Sequence, residues 1–290
     1  MKKIILSLAM VAVVGAVAVG GTIAYFSDTE TSTGNTFTAG TVDIAVDSEN
    51  PWESTGQYSF SNLEPSDDED INVTLSNVGS NPVVVWKKVK ITNEEKDLST
   101  QFVYSMKVGG NDNIKKDWDV RVSDVNDLWI PIGRLNSGES LTVDQNYYFD
   151  EEADNAYQGG SMTFDVTFYA DQVNAPGPAH TTRGVVLENK NTTGEWETIV
   201  GDGIFGILTW DTSYNYVVKA WGVVGASYKV AHYNEATSTQ TLIGDALTPV
   251  AGAVSGSGTL TAYGTDSKYW LRDLTWSNPN TLWESNLADN

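Results

Sequence analysis

Apolar and polar residues alternate with period two through most of this chain, and no long stripe of helical spacing appears beyond the first two dozen residues. Thr41 to Asp47 reads as a strand with Val42, Ile44 and Val46 on one side. Ile71, Val73 and Leu75 repeat the pattern. In Pro82 to Thr92 the odd positions Val83, Val85, Val89 and Ile91 are apolar while Lys88 and Lys90 point the other way; Lys87 breaks the inward set once. Leu141, Val143, Tyr147 and Phe149 continue the alternation, and Met162, Phe164, Val166 and Phe168 give its cleanest stretch. Turn residues separate the runs at Asn77-Val78-Gly79, Gly109-Gly110-Asn111-Asp112, Asn136-Ser137-Gly138 and Gly159-Gly160. Such patterning suits antiparallel sheets packed face to face, so the expected fold class is all-β.

The pattern breaks at Val173-Asn174-Ala175-Pro176-Gly177-Pro178-Ala179-His180, where two prolines around a glycine predict a stiff, extended connector with no face to bury. A boundary is placed there, with residues 25–173 as one domain, 174–182 as linker and 183–290 as a second. Strand-like runs resume at Val185–Glu188, Trp196–Val200, Ile204–Trp210, Tyr216–Trp221, Tyr228–Tyr233, Tyr269–Leu274 and Thr281–Ser285. About seven short strands in this span predict a second sandwich of immunoglobulin-like size. Trp210, Trp221, Trp270, Trp276 and Trp283 are the expected filling of its centre. Val250–Ser257, small and Gly-rich, reads as a long loop or an edge strand.

The first residues change the picture. Met1-Lys2-Lys3 precedes an apolar run from Ile4 to about Val19, followed by Gly20-Gly21-Thr22-Ile23-Ala24. Small residues at Thr22 and Ala24 suit a signal peptidase cutting between Ala24 and Tyr25, which makes residues 1–24 a signal peptide and the product a secreted protein. A retained membrane anchor is the alternative, since about 20 apolar residues span a bilayer. Formal net charge is −21, and loss of Lys2 and Lys3 takes it to −23. So acidic a surface repels nucleic acid and anionic lipid, and neither is an expected partner. Cysteine is absent, which excludes disulfides, thiolate metal sites and cysteine nucleophiles.

Catalytic chemistry finds few residues to use. The two histidines are His180 in the connector and His232 in an expected strand, and the sequence has neither a Gly-x-Ser-x-Gly elbow nor a His-Glu-x-x-His pair. Gly201-Asp202-Gly203-Ile204-Phe205-Gly206 fits the dinucleotide spacing but leads into a strand, so it reads as a hairpin turn. Asp67-Asp68-Glu69-Asp70 is a candidate structural calcium site without EF-hand spacing; a solvated acidic turn is the simpler reading. Otherwise no cofactor is expected. Aromatic residues of the second half are read as core in preference to a sugar-stacking platform. Asn72 and Asn191 begin glycosylation sequons.

From Tyr25 to Ile44 the chain resembles the TasA/camelysin family of exported proteins. The likeness rests on Gly-Gly-Thr-x-Ala in the leader, Phe26-Ser27-Asp28 after the cut, and Thr36-Phe37-Thr38-Ala39-Gly40-Thr41-Val42-Asp43-Ile44. Asn62-Leu63-Glu64-Pro65-Ser66-Asp67 resembles the family's Asn-Leu-x-Pro-Gly-Asp turn with Ser66 in the glycine's place. Asn77-Val78-Gly79-Ser80 and Tyr157-Gln158-Gly159-Gly160-Ser161 extend the likeness to about Gln172. The resemblance implies a jelly-roll-like sandwich. It also implies a structural subunit of an extracellular fibre or biofilm matrix, joined head to tail to copies of itself by donor-strand exchange. The donor arm is then residues 25–38, with Tyr25, Phe26, Ser27, Asp28 and Phe37 as its contact residues. This stretch has no proline and reaches about 46 Å at ~3.3 Å per residue. Other expected partners are cell-surface or matrix components, with no membrane contact after cleavage. On this reading the protein is not an enzyme. Two alternatives stand beside it: a monomeric adhesin or glycan binder working through the second domain, and a camelysin-like surface peptidase.

Overall fold

The structure is a computed structural model that describes residues 27–30, 41–52, 57–114, 116, 119–173, 175, 177–178, 182–190, 199, 201–225, 227–234, 237–260, 267–274 and 281–284. The expected leader and Trp196–Val200 (save residue 199) lie outside these residues, as do Trp276, His180 and Asn191. The first half contributes β1 (Ser27–Glu30), β2 (Ile44–Val46), β3 (Gln57–Ser61), β4 (Asp68–Asn77), β5 (Val83–Glu94), β6 (Phe102–Val108), β7 (Asn111–Ile114), β8 (Leu128–Leu135), β9 (Ser140–Phe149) and β10 (Ser161–Gln172). Among the described residues the one α-helix is α1 (Val122–Val125). The all-β expectation holds.

Two antiparallel sheets make the first half. One runs β2-β4-β9-β6-β7; in the other, β10 pairs with β5 and β5 with β8. Their inner faces interleave rings: Tyr147 stacks on Phe164 at 5.0 Å and Phe60 meets Phe164 edge-on at 5.1 Å. The alternating residues do what their period demands, since Ile71, Val73, Leu75, Val143, Phe164 and Phe168 are all buried. Lys87 is no outward exception. It keeps the parity of Val83, Val85 and Val89 and is 1% exposed inside the sandwich. Gln145, at the inward parity of β9, is also fully buried.

The turns found in the sequence close this sandwich. The N–H groups of Val78 and Gly79 donate to the Asp43 carbonyl at 3.0 and 3.1 Å, and that of Ser80 to Thr41 at 3.1 Å. A β-carbon on Gly79 would lie 2.2 Å from the Thr41 carbonyl oxygen, so only glycine permits the contact. At Glu64–Asp67 the Asp67 N–H donates to the Glu64 carbonyl at 2.9 Å, and Ser66 adopts φ 81°. A turn with proline second and positive φ third asks for glycine there, which explains the strain that serine accepts.

The second half contributes β11 (Arg183–Asn189), β12 (Phe205–Trp210), β13 (Asn215–Trp221), β14 (Tyr228–Asn234), β15 (Thr239–Leu247), β16 (Val254–Thr259), β17 (Ser267–Asp273) and β18 (Leu282–Glu284). Pairing runs β11-β12-β13-β16 on one side and β11-β18-β17-β14-β15 on the other. β15 and β16 lie against each other across the turn at Val250–Ala253, bringing the strands round one core. Trp210, Tyr216, Tyr228, Tyr269 and Leu271 fill it. Trp270 is buried, but Trp221 lies 36% exposed on an outer face, stacked on Phe205 at 4.8 Å. β15 escaped the sequence reading because only Ile243 along it is buried, so it shows no alternation.

Within the connector, the described residues 177 and 178 are packed. Gly177 and Pro178 are buried, with the Trp86 ring against Gly177. Arg183, 1% exposed, donates from Nη2 to the Pro178 carbonyl at 2.9 Å and lies 5.9 Å from the Trp86 ring centre. Trp86 and Trp129 of the first half belong to the second half's core, while Val186 and Ile207 join the first. A parallel bridge, Arg183 to Trp129, continues the sheet across the junction.

Two outcomes follow for stability. Trp86→Ala opens the shared core and should cost about 3–5 kcal/mol; denaturant unfolding should then resolve two transitions where the parent shows strongly coupled ones. Ser66→Gly relieves the positive φ and should raise stability by about 1 kcal/mol, read as a higher denaturant midpoint at unchanged slope.

Candidate assembly site

β10 is the strand on which the candidate arm meets the sandwich. One of its edges pairs with β5 along its whole length, from Met162 opposite Glu94 to Gln172 opposite Val83. The other edge is divided. β3 covers Ser161–Asp165, and β1 covers Phe168–Asp171 with Glu30 opposite Phe168 and Ser27 opposite Asp171. Val166 and Thr167 fall between the two registers. Without β1, the Phe168–Asp171 edge would present unpaired backbone donors and acceptors, a template for another strand. With β1 in place, Phe164, Phe168 and Ala170 on the core face beneath are each 0% exposed.

Of the arm residues singled out in the sequence, Ser27 and Asp28 lie in β1. Tyr25, Phe26, Phe37 and Ala24, the expected cleavage residue, lie outside the described residues.

Asp171 marks the corner where β1, β10 and the connector meet. It is buried, accepts from the Tyr169 hydroxyl at 3.2 Å and from the Gln172 N–H at 2.9 Å, and faces the charge of Arg183. Burial outweighs these partners and pushes its carboxyl above the usual carboxylate range.

The remaining candidates are placed as follows. Asp67 accepts the Glu64 N–H at 2.7 Å, closing its turn. Asp68 accepts from Lys116 Nζ at 3.1 Å and shares Asn146 Nδ2 with Asp70, at 2.7 and 2.8 Å. Glu69 is exposed between them. Among the described residues no group of three or more His, Asp or Glu side chains is placed to hold a metal ion. Asn72 is exposed on β4. His232 is buried on β14 beside Tyr269, with ring centres 5.2 Å apart, and burial lowers its pKa. Gly201 and Gly203 take φ 69° and 68° and lead into β12, a turn before a strand as the sequence indicated. A groove of about 530 Å³ lies beside β12, β13 and β16, lined by Thr182, Thr209, Asp211, Asn215, Val217 and Ser257 among others. Trp210 and Tyr216 border it but are 1% and 2% exposed, so neither offers an open ring face. Among the described residues no helix is long and apolar enough to cross a membrane.

Residues 1–117 match the family model described as camelysin metallo-endopeptidase. The match runs from residue 1 through β7 and stops short of Gln172, to which the resemblance of the turns extends. No curated protein matches the chain.

The Asp171 corner has a defined pH response. A carboxyl whose folded pKa is raised contributes stability that is complete below the unfolded value of about 3.9 and is lost as pH rises through the folded value. Stability should therefore fall from acid toward neutral pH, and Asp171→Asn should flatten that slope. Denaturant midpoints measured across that window, parent against variant, check it.

Proposed function

Because residues 1–117 belong to the TasA/camelysin family, whose members are extracellular or cell-surface proteins, we propose that this protein is exported, trimmed after Ala24, and assembled into an extracellular fibre. The arm of one copy serves as the donor strand of the next. The observation that carries the reading is the seat of β1: a four-residue strand, reached through a long segment from β2, occupies a divided edge of β10. An identical arm from a neighbour presents the same residues in the same register. Exchange then replaces like with like, and a head-to-tail contact that does not close yields a filament. Phe164, Phe168 and Ala170 belong to the core cluster shared by the two sheets of the first half, and on this reading that core keeps a subunit folded while its arm is away. We further propose that the scaffold is structural and not peptidolytic, and that it is a jelly-roll-like sandwich carrying a second β domain.

Charge sets the conditions. At −23 the processed subunits repel, and added salt screens that repulsion. Filaments should form faster with salt, divalent cations or falling pH. Deleting residues 25–38 should leave a folded monomer, and a synthetic peptide of that sequence should bind it. Phe26→Asp should weaken association at least about tenfold, ~1.4 kcal/mol, because docking the arm would then have to desolvate an added charge in place of an apolar ring. Light scattering and electron microscopy of parent, deletion and variant decide the matter. Equal filament yield from parent and deletion would sink the donor role. Hydrolysis of a generic peptide, dependent on added zinc, would favour the peptidase alternative. A parent that stays monomeric throughout but binds glycans through the groove near Asp211 would favour the adhesin.

A further inference from the structure

Two strands of the first half each carry one strongly polar residue at an inward position of an otherwise apolar stretch: Lys87 on β5 and Gln145 on β9. They belong to opposite sheets and they converge. Lys87 Nζ donates to the Tyr104 hydroxyl and lies 4.7 Å from that ring's centre. The Tyr104 hydroxyl donates to Gln145 Oε1 at 3.4 Å, and the Tyr147 hydroxyl donates to the same oxygen at 3.0 Å. Gln145 Nε2 is buried with no hydrogen-bond partner. Among the described residues no carboxylate forms an ion pair with Lys87.

We propose that Lys87 and Gln145 form an intramolecular isopeptide bond that ties the two sheets together. The chemistry of the cluster is that of acyl transfer. Burial without a counter-ion disfavours the charged form of an amine and lowers the Lys87 pKa, which favours the neutral amine whose lone pair can attack. The Tyr147 hydroxyl is the nearer donor to the amide oxygen, and the Tyr104 hydroxyl, which also lies 3.6 Å from Met106 Sδ, is the second; turned to that oxygen they polarise the carbonyl and stabilise the oxyanion that forms on attack. Burial also raises the pKa of both Tyr104 and Tyr147, so each stays a protonated donor. The unpartnered Nε2 is the leaving group, and nothing in its surroundings holds it back. Water, which would compete for the acyl carbon, is excluded by the core.

The step balances. Nζ attacks Cδ of Gln145, and the carbonyl electron pair moves to Oε1 under the two phenols. A proton passes from Nζ through the Tyr104 hydroxyl to Nε2. The carbonyl re-forms, the Cδ–Nε2 bond breaks, and one molecule of ammonia leaves. One nitrogen–carbon bond forms and one breaks, with no change of oxidation state. In a chain with no cysteine, such a bond gives a covalent tie that reducing agents cannot open.

Mass spectrometry of the folded parent protein decides the proposal. The intact mass should fall one ammonia below the sequence mass of the processed chain, and proteolysis should release a branched peptide joining the Lys87 and Gln145 segments. The branched peptide matters because an asparagine succinimide also loses ammonia but leaves the segments unlinked. Lys87→Met and Gln145→Leu should each restore the full mass, and Tyr104→Phe should leave a mixture of linked and unlinked chains. A folded parent at full mass with separate Lys87 and Gln145 peptides would overturn the bond. That measurement needs no variant to fold.

Discussion

Between Val83 and Val89, strand β5 has little contact with water on either face. Val83, Val85 and Val89 close the core between the two sheets of the first half, while Val84 and Trp86 pack into the core of the second. Lys88, on the same outer face, lies over the Trp129 ring at 4.8 Å and reaches Asp127 at 3.0 Å. Most strands of an antiparallel sandwich bury one side and wet the other. Here the second half takes the place of solvent, so two hydrophobic cores share one strand. The burial of Gly177 and Pro178, the Arg183–Trp129 bridge and the close approach of Leu128 to Gly184 all follow from that docking.

The same strand links the assembly edge to the rest of the molecule. β10 hydrogen-bonds to β5 along its length and offers its opposite edge to β1. In the proposed fibre, a pull on the arm would load the β1–β10 ladder in shear, pass across β10 to β5, and from there reach both cores. The proposed Lys87–Gln145 bond would add a covalent route from β5 into the other sheet. A polar pair at this depth costs desolvation, which an apolar pair would avoid. Its place on the shared strand gives that cost a mechanical purpose.

Much of this was legible in the chain. Period-two alternation identifies β4, β5, β9 and β10 because each has an apolar and a polar side, and the turn residues mark where they end. Pro82-Val83-Val84-Val85-Trp86 carries a further signal, since an unbroken apolar run within an alternating strand marks burial on both faces. Ser66, in a glycine's place, likewise announces the positive φ that the turn imposes.

What the sequence by itself determined is the all-β class, the inward set of the regular strands and the turns that need glycine, because each follows from local stereochemistry and a two-residue period. Tertiary structure alone decided the partners. Lys87 and Gln145 are 58 residues apart and meet only because their strands lie in facing sheets. Residues 27–30 find β10 from the far end of the first half. Pro176-Gly177-Pro178 has the composition of a free linker, yet it is packed at Gly177 and Pro178 because Trp86 lies against it. Long-range pairing of this kind is chosen by which buried surfaces fit together, and no local pattern encodes that fit.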